Sequence, residues 1–270
     1  MIGASVVAPA FAVADDSITI TAGGSTALLP LVKAAAEEYH KEHANVTVNV
    51  QGGGSGVGLA QAQSKGFDIG DSDIPADPKK YPDLADHQVC VIGFAVIANP
   101  GANVKDLKKS QLADIFSGKI TNWKEVGGAD QKIVIVNRPR TSGTRAVFTK
   151  TIMGSTPVSE TGLTEDATGQ VVNIVKQTAG SISYAALSGV KSAAGQINLL
   201  SIDGVAPTDE NIIAQKYPIW SFEHMYTNGA ATGEVSRFLA FVQANSAIIH
   251  GQGYILKRDM PKGVQDALSK

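Results

Sequence analysis

Two periodicities alternate along this chain. Ser17-Ile18-Thr19-Ile20-Thr21 alternates polar and apolar residues as a half-buried strand does. Ala22-Gly23-Gly24-Ser25-Thr26 then turns it, and from near Ala27 the apolar positions Leu28, Leu31, Val32, Ala35 and Tyr39 fall on one helical face. Lys33, Glu37, Lys41 and Glu42 occupy the opposite face, and Pro30 is tolerated in the first turn because its missing N–H has no helical partner there. The figure repeats at once: Val46 to Val50 alternates, Gln51-Gly52-Gly53-Gly54-Ser55-Gly56-Val57-Gly58 breaks it, and a helix runs through Leu59 to Ser64. It appears a third time where Ile133-Val134-Ile135-Val136 leads through Asn137-Arg138-Pro139-Arg140-Thr141-Ser142-Gly143-Thr144-Arg145 into a helix at Ala146-Val147-Phe148.

Between these units, Phe67 to Pro75 predicts a short strand carrying Asp71 and Asp73 at its end, and Val89 to Ala98 is an apolar run long enough to pass between domains. Leu107, Leu112, Ile115 and Phe116 outline helical pieces, Gly169 to Gln177 predicts a helix, and Ser181 to Tyr184 and Asn198 to Leu200 predict strands. An extended run from Tyr217 to Tyr226 carries the chain back, and a long helix is predicted from Glu234 to His250, ending at Gly251. Strands alternating with helices predict an α/β fold with largely parallel sheets.

The 270 residues suffice for two modest domains, and 43% hydrophobic with 18% charged residues is ordinary for a soluble globular chain. A net charge of −2 argues against a nucleic-acid partner, which needs a broad basic surface. Met1 to Ala14 is small and apolar and ends in Ala12-Val13-Ala14, as the tail of a secretory signal does, although no basic segment leads it. The lone Cys90 lies in an apolar run and is expected buried, with no internal disulfide possible. His40 and His43 lack further ligands nearby and are expected on a solvated helix end, so no metal and no cofactor is called.

The candidate chemistry sits in the three loops. A helix start offers free N–H donors and partial positive charge, and glycine lets an anion approach the backbone. Three of the five arginines fall in the third loop. Ligands of open α/β sheets settle beyond the carboxyl ends of strands, so Ser25, Thr26 and Ser55 are expected to face Arg138, Ser142, Gly143 and Thr144 across a cleft. The glycine run fits neither a dinucleotide or P-loop pattern nor a nucleophile elbow, and Asp71 with Asp73 lacks the ligands of a calcium loop. A carboxylate beside an anion site makes sense if the anion brings a proton: Asp73 then accepts from phosphate and opposes sulfate, acceptor against acceptor.

Ala22-Gly-Gly-Ser-Thr-Ala-Leu-Leu-Pro30, Gln51-Gly-Gly-Gly-Ser-Gly56, Asp68-Ile-Gly-Asp-Ser-Asp73 and Arg138-x-x-x-Ser-Gly-Thr144 resemble, in order and spacing, the phosphate-binding proteins of bacterial ABC phosphate importers, the PstS type. Ile120-Thr-Asn-Trp123, Ile182-Ser-Tyr184 and the Tyr217-Pro218 run extend the resemblance over nearly all of the chain after the signal. It implies a two-domain periplasmic-binding-protein fold of the Venus-flytrap, type II kind with two crossover strands. Residues 15–92 with 221–270 would form one domain and 93–220 the other, after a signal remnant at 1–14. It also implies an exported, periplasmic or extracellular carrier, expected monomeric, which delivers inorganic phosphate to a membrane permease and is not an enzyme.

Carried over by motif, Thr26 and Ser55 donate hydroxyls, Ala27 donates its backbone N–H and Ser25 is their neighbour. Asp73 accepts the phosphate proton, Arg138 supplies the charged pair, and Ser142, Gly143 and Thr144 complete the cage. One position departs: some members pair the arginine with an acidic residue between it and the serine, where this chain has Arg140. Alternatives are a carrier of sulfate, molybdate or tungstate, a phosphatase or phosphoryl-transfer enzyme, and a structural or adhesive protein with a vestigial site.

Overall fold

A computed structural model describes residues 17–267; the signal assigned to residues 1–14 lies outside the described residues. The strands are β1 (Ile18–Gly24), β2 (Val46–Gly52), β3 (Ile69–Ser72), β4 (Leu84–Ala98), β5 (Asp106–Leu107), β6 (Val134–Asn137), β7 (Leu163–Thr164), β8 (Ser181–Ala186), β9 (Asn198–Ile202) and β10 (Trp220–Asn228). Of the helices, α1 (Leu29–Glu42), α2 (Ser55–Gln63), α3 (Lys109–Phe116), α4 (Gly143–Phe148) and α5 (Thr168–Gln177) precede the short α6 (Leu187–Val190) and α7 (Asp209–Ile213). The chain closes with α8 (Gly233–Ala244), α9 (Ser246–Gly251) and α10 (Lys262–Ala267).

The organising element is β4. From Leu84 to Gly93 it runs antiparallel to β10, with one irregularity at Val89, and from Phe94 onward it pairs with β8 and β9 instead. One strand thereby joins two groups of strands, ordered β2-β1-β3-β10-β4 on one side and β4-β8-β6-β7 on the other. The second crossing is made just before β10, where the Phe94 N–H donates to the Ile219 carbonyl at 2.9 Å. The chain thus has the mixed α/β, two-lobed arrangement of a periplasmic-binding-protein fold.

Two expectations need correction. The sheets are mixed rather than largely parallel: β1 pairs parallel with β2 and β3, and β6 with β8, but β10 and β4 run antiparallel to their neighbours. A helix–strand alternation cannot reveal this, because β4 and β10 pair with strands far away along the chain, and the direction of such a pairing leaves no mark in the local pattern. The long terminal helix is also two helices. Asn245 accepts the Ile248 N–H at 3.1 Å on its side chain, and this capping bond ends α8 and starts α9. Similarly, β4 begins five residues before the apolar run, since Leu84 to Gln88 are only partly covered and carry no buried stripe to read.

Packing fixes the helices that carry the loops. In α1, Leu31, Val32, Ala35, Ala36 and Tyr39 are buried, and Tyr39 meets Phe238 and Phe241 of α8 edge to face. Phe148 of α4 stacks on Tyr184 of β8 at 4.1 Å between ring centroids, with Phe116 of α3 against both. Each such ring contributes about 1.5–3 kcal/mol by burial, enough to hold a six-residue helix that would not persist alone. Cys90 is buried and free. His40 is exposed, and among the described residues no group of three or more His, Cys, Asp and Glu side chains is arranged to hold a metal ion.

Candidate anion site at the seam between the lobes

The three glycine and hydroxyl loops meet. From the β1–α1 turn, the buried Ser25 hydroxyl donates to Asp73 Oδ1 and accepts the N–H groups of Ala27 and Leu28 at 3.0 and 3.1 Å. It therefore ties down the turn that leads into α1 while orienting the carboxylate. The Ala27 N–H, expected to serve a ligand, points at the serine oxygen two residues earlier.

At the start of α2, the wholly buried Ser55 hydroxyl accepts the Asp73 N–H at 2.9 Å, fixing the loop after β3. Across the seam, the Thr144 hydroxyl donates to Asp73 Oδ2 at 2.8 Å. The two oxygens of Asp73 thus take one hydroxyl from each lobe. Burial pushes this carboxyl up from its usual range, while the Ser25 and Thr144 hydroxyls and the Arg138 charge pull it back down.

Gly143 is required here by proximity. A Cβ on it would stand 2.1 Å from Ser55 Oγ and 2.8 Å from Asp73 Cβ, so any larger residue would hold the lobes apart. Beside it the Gly56 N–H donates to the Thr141 carbonyl at 2.9 Å, a backbone bond across the same seam. Ser142 caps α4 by accepting the Arg145 N–H at 3.2 Å.

Arg138 is 1% exposed. Its Nε donates to the Glu165 carbonyl at 3.0 Å, and Nη2 donates to the Asp166 carbonyl at 2.7 Å and the Thr26 hydroxyl at 3.1 Å. The partner missing at Arg140 is thus replaced by two main-chain carbonyls, which orient the guanidinium without neutralising it. Arg140 itself is exposed and pairs with Glu160, and Arg145 binds both Glu160 and the Arg138 carbonyl. Desolvation pulls Arg138 down, opposed by the charge of Asp73. Its last nitrogen, Nη1, is buried with no hydrogen-bond partner in the protein.

The expected residues Ser25, Thr26, Ala27, Ser55, Asp73, Arg138, Ser142, Gly143 and Thr144 accordingly lie around one point of the seam. Sequence reasoning missed Thr168, whose N–H donates to the Thr26 hydroxyl at 3.3 Å and whose own hydroxyl lies 3.2 Å from it. The signal was present as Ala167-Thr168-Gly169 at the start of α5, the same hydroxyl-glycine step as in the other loops. The Glu165 and Asp166 carbonyls, and Ser221, which donates to the Asp73 carbonyl at 2.6 Å, left no such mark. Chemically, the assembly offers one full positive charge, several hydroxyls and one carboxyl acceptor, with Ser25, Ser55, Asp73, Arg138, Ser142 and Thr144 all buried.

A family model described as the PBP superfamily domain matches residues 9–246. The phosphate-binding protein PstS of Bacillus subtilis is 45% identical over 258 residues, covering 93% of this chain and 85% of that protein. A crystal structure with bound phosphate, described as a phosphate ABC transporter substrate-binding protein from Clostridium perfringens, superposes with a TM-score of 0.82 at 27% identity over 88% of this chain and 99% of the other. An ABC-type phosphate transport receptor from Vibrio cholerae gives 0.71 at 28% identity, with the same coverage of both chains.

Proposed function

This chain belongs to the PBP superfamily, among the PstS-type phosphate-binding proteins, and on that footing we propose that it binds inorganic phosphate at the seam between its lobes and delivers it to the permease of an ABC phosphate importer. One observation carries the reading. Arg138 Nη1 is buried without a protein partner, and Asp73, held by a hydroxyl from each lobe, is near enough for the two charges to act on one another. A buried guanidinium nitrogen calls for an anionic oxygen, because leaving it unpaired costs at least about 1–3 kcal/mol. A buried carboxylate beside it calls for an oxyanion that still carries a proton, which phosphate does at neutral pH and sulfate does not.

We assign Thr26, Ser55, Ala27, Ser142, Gly143 and Thr144 to the cage, with Ser25 orienting Asp73. The lobe division we propose runs at 15–92 with 221–270 against 93–220, so that the two crossings near Phe94 and Trp220 serve as the hinge. The carrier is exported and acts as a monomer outside the membrane, without a nucleic-acid partner. Among the described residues no helix is long and apolar enough to cross a membrane. The hydroxyls serve recognition rather than turnover: those of Ser25 and Thr144 are spent on Asp73.

Titration calorimetry with phosphate, sulfate and arsenate tests the reading. Saturable binding of one phosphate per chain is expected, with sulfate at least about tenfold weaker. A phosphomonoester incubated with the same sample should release no phosphate. Sulfate binding as tightly as phosphate would reassign the ligand.

A further inference from the structure

Behind Asp73 the sheet buries two more carboxyl groups that anion recognition does not use. Asp71, two residues earlier on β3, pairs with Met225 of β10 and is wholly buried. One residue before His224 on β10, Glu223 lies close enough to Asp73 for the two carboxyl groups to act on one another. Glu223 is also wholly buried and pairs with Cys90 of β4. Neither oxygen of Asp71 has a hydrogen-bond partner, and the side chain that Glu223 meets is another carboxyl, that of Asp73, so one of the two must carry a proton for them to bond. A carboxylate in dry surroundings with no donor and no cation takes up a proton rather than bear the desolvation.

Their surroundings supply no compensating charge. Asp73 faces both from the loop after β3, the Cys90 thiol faces Glu223 from β4, and the Tyr254 phenol faces it from the segment after α9. His224, next along β10, is turned to Asp86 instead. Arg138, the buried cation of the seam, acts on Asp73.

We propose that Asp71 is a charge gate for the anion site: as a neutral acid it adds no charge beside Asp73, and once ionised it repels the incoming anion. The proposal rests on the phosphate reading for its ligand, and on the buried carboxyl trio for the rest. Burial and the neighbouring Asp73 charge push Asp71 up to about 8, so the gate operates in mildly alkaline solution. Glu223 is pushed well above the carboxylate range by burial and by both aspartates, and its proton lets Asp73 remain the acceptor.

Phosphate titrations of the full chain and of Asp71→Asn, from pH 6.5 to pH 9, test the gate. At each pH the two proteins meet the same mixture of phosphate ions, so their ratio isolates Asp71. The two dissociation constants should agree at pH 6.5, and at pH 9 the wild type should bind about tenfold more weakly than the variant, since one unit above its titration point only about a tenth of Asp71 keeps its proton. A ratio that stays constant over the range overturns the proposal.

Melting of the ligand-free proteins provides a readout independent of phosphate. The folded value of Asp71 lies above its ordinary 3.8, so its contribution to stability is full below that value and declines as pH rises to about 8. Between pH 5 and 8 the wild type should lose melting temperature relative to Asp71→Asn, and parallel profiles overturn the proposal. Failure of the phosphate reading looks different: the wild type would bind no phosphate at pH 6.5 while the melting profiles still diverged.

Discussion

The two sides of the seam bring opposite halves of one electrostatic design. The side built on β1, β3 and β10 buries Asp71, Asp73 and Glu223 but no lysine or arginine; the side built on β6 and α4 buries Arg138 but no aspartate or glutamate. Neither half suits an anion alone. The first repels it, and the second holds its guanidinium by carbonyls that orient it but leave its charge unspent. Balance is reached only by bonds across the seam, from Thr144 to Asp73 and from Arg138 to Thr26. Affinity and closure should therefore be one property, since the groups we assign to the anion are the ones that hold the lobes together.

The sharpest way to break that pairing is to delete its cation. Arg138→Ala should cost about 3–5 kcal/mol of phosphate binding, roughly two to four orders of magnitude in dissociation constant, as calorimetry would read it. Near-normal affinity would remove Arg138 from the site. Acting on the other half, Asp73→Asn exchanges the charged acceptor for an amide that can also donate. The preference for phosphate over sulfate should narrow by about 1–3 kcal/mol, and an unchanged preference would refute the acceptor argument. Gly143→Ala tests the seam itself, since its methyl would meet Ser55 and Asp73. Binding should weaken by about 1–3 kcal/mol, with small-angle scattering in saturating phosphate showing a larger radius of gyration than the wild type. Thr144→Val is the mildest change, removing one hydroxyl bond from Asp73 at about 0.5–1.5 kcal/mol of affinity.

Much of the site was legible because its parts are local. Ser25, Ser55 and Ser142 stand where a glycine turn feeds a helix, and such a turn has a sequence signature whatever surrounds it. Thr168 shares that signature and was passed over only because the loop before it lacked a strand long enough to notice, β7 being two residues. The clamp on Arg138 was not legible, since main-chain carbonyls leave no mark in side-chain identity. The break at Asn245 was missed for another reason: apolar periodicity continues from Phe238 through Ile249, and only the capping bond interrupts it.

The alternation of strand, hydroxyl loop and helix was determined by sequence alone, because backbone preference and apolar period act over a few neighbouring residues. The tertiary structure alone decided that Ser221 reaches Asp73 from 148 positions away and that Asp71 and Glu223 share a dry interior with it. No short window contains both ends of such a contact, and a carboxyl group acquires its charge state from the water and cations that the fold leaves around it.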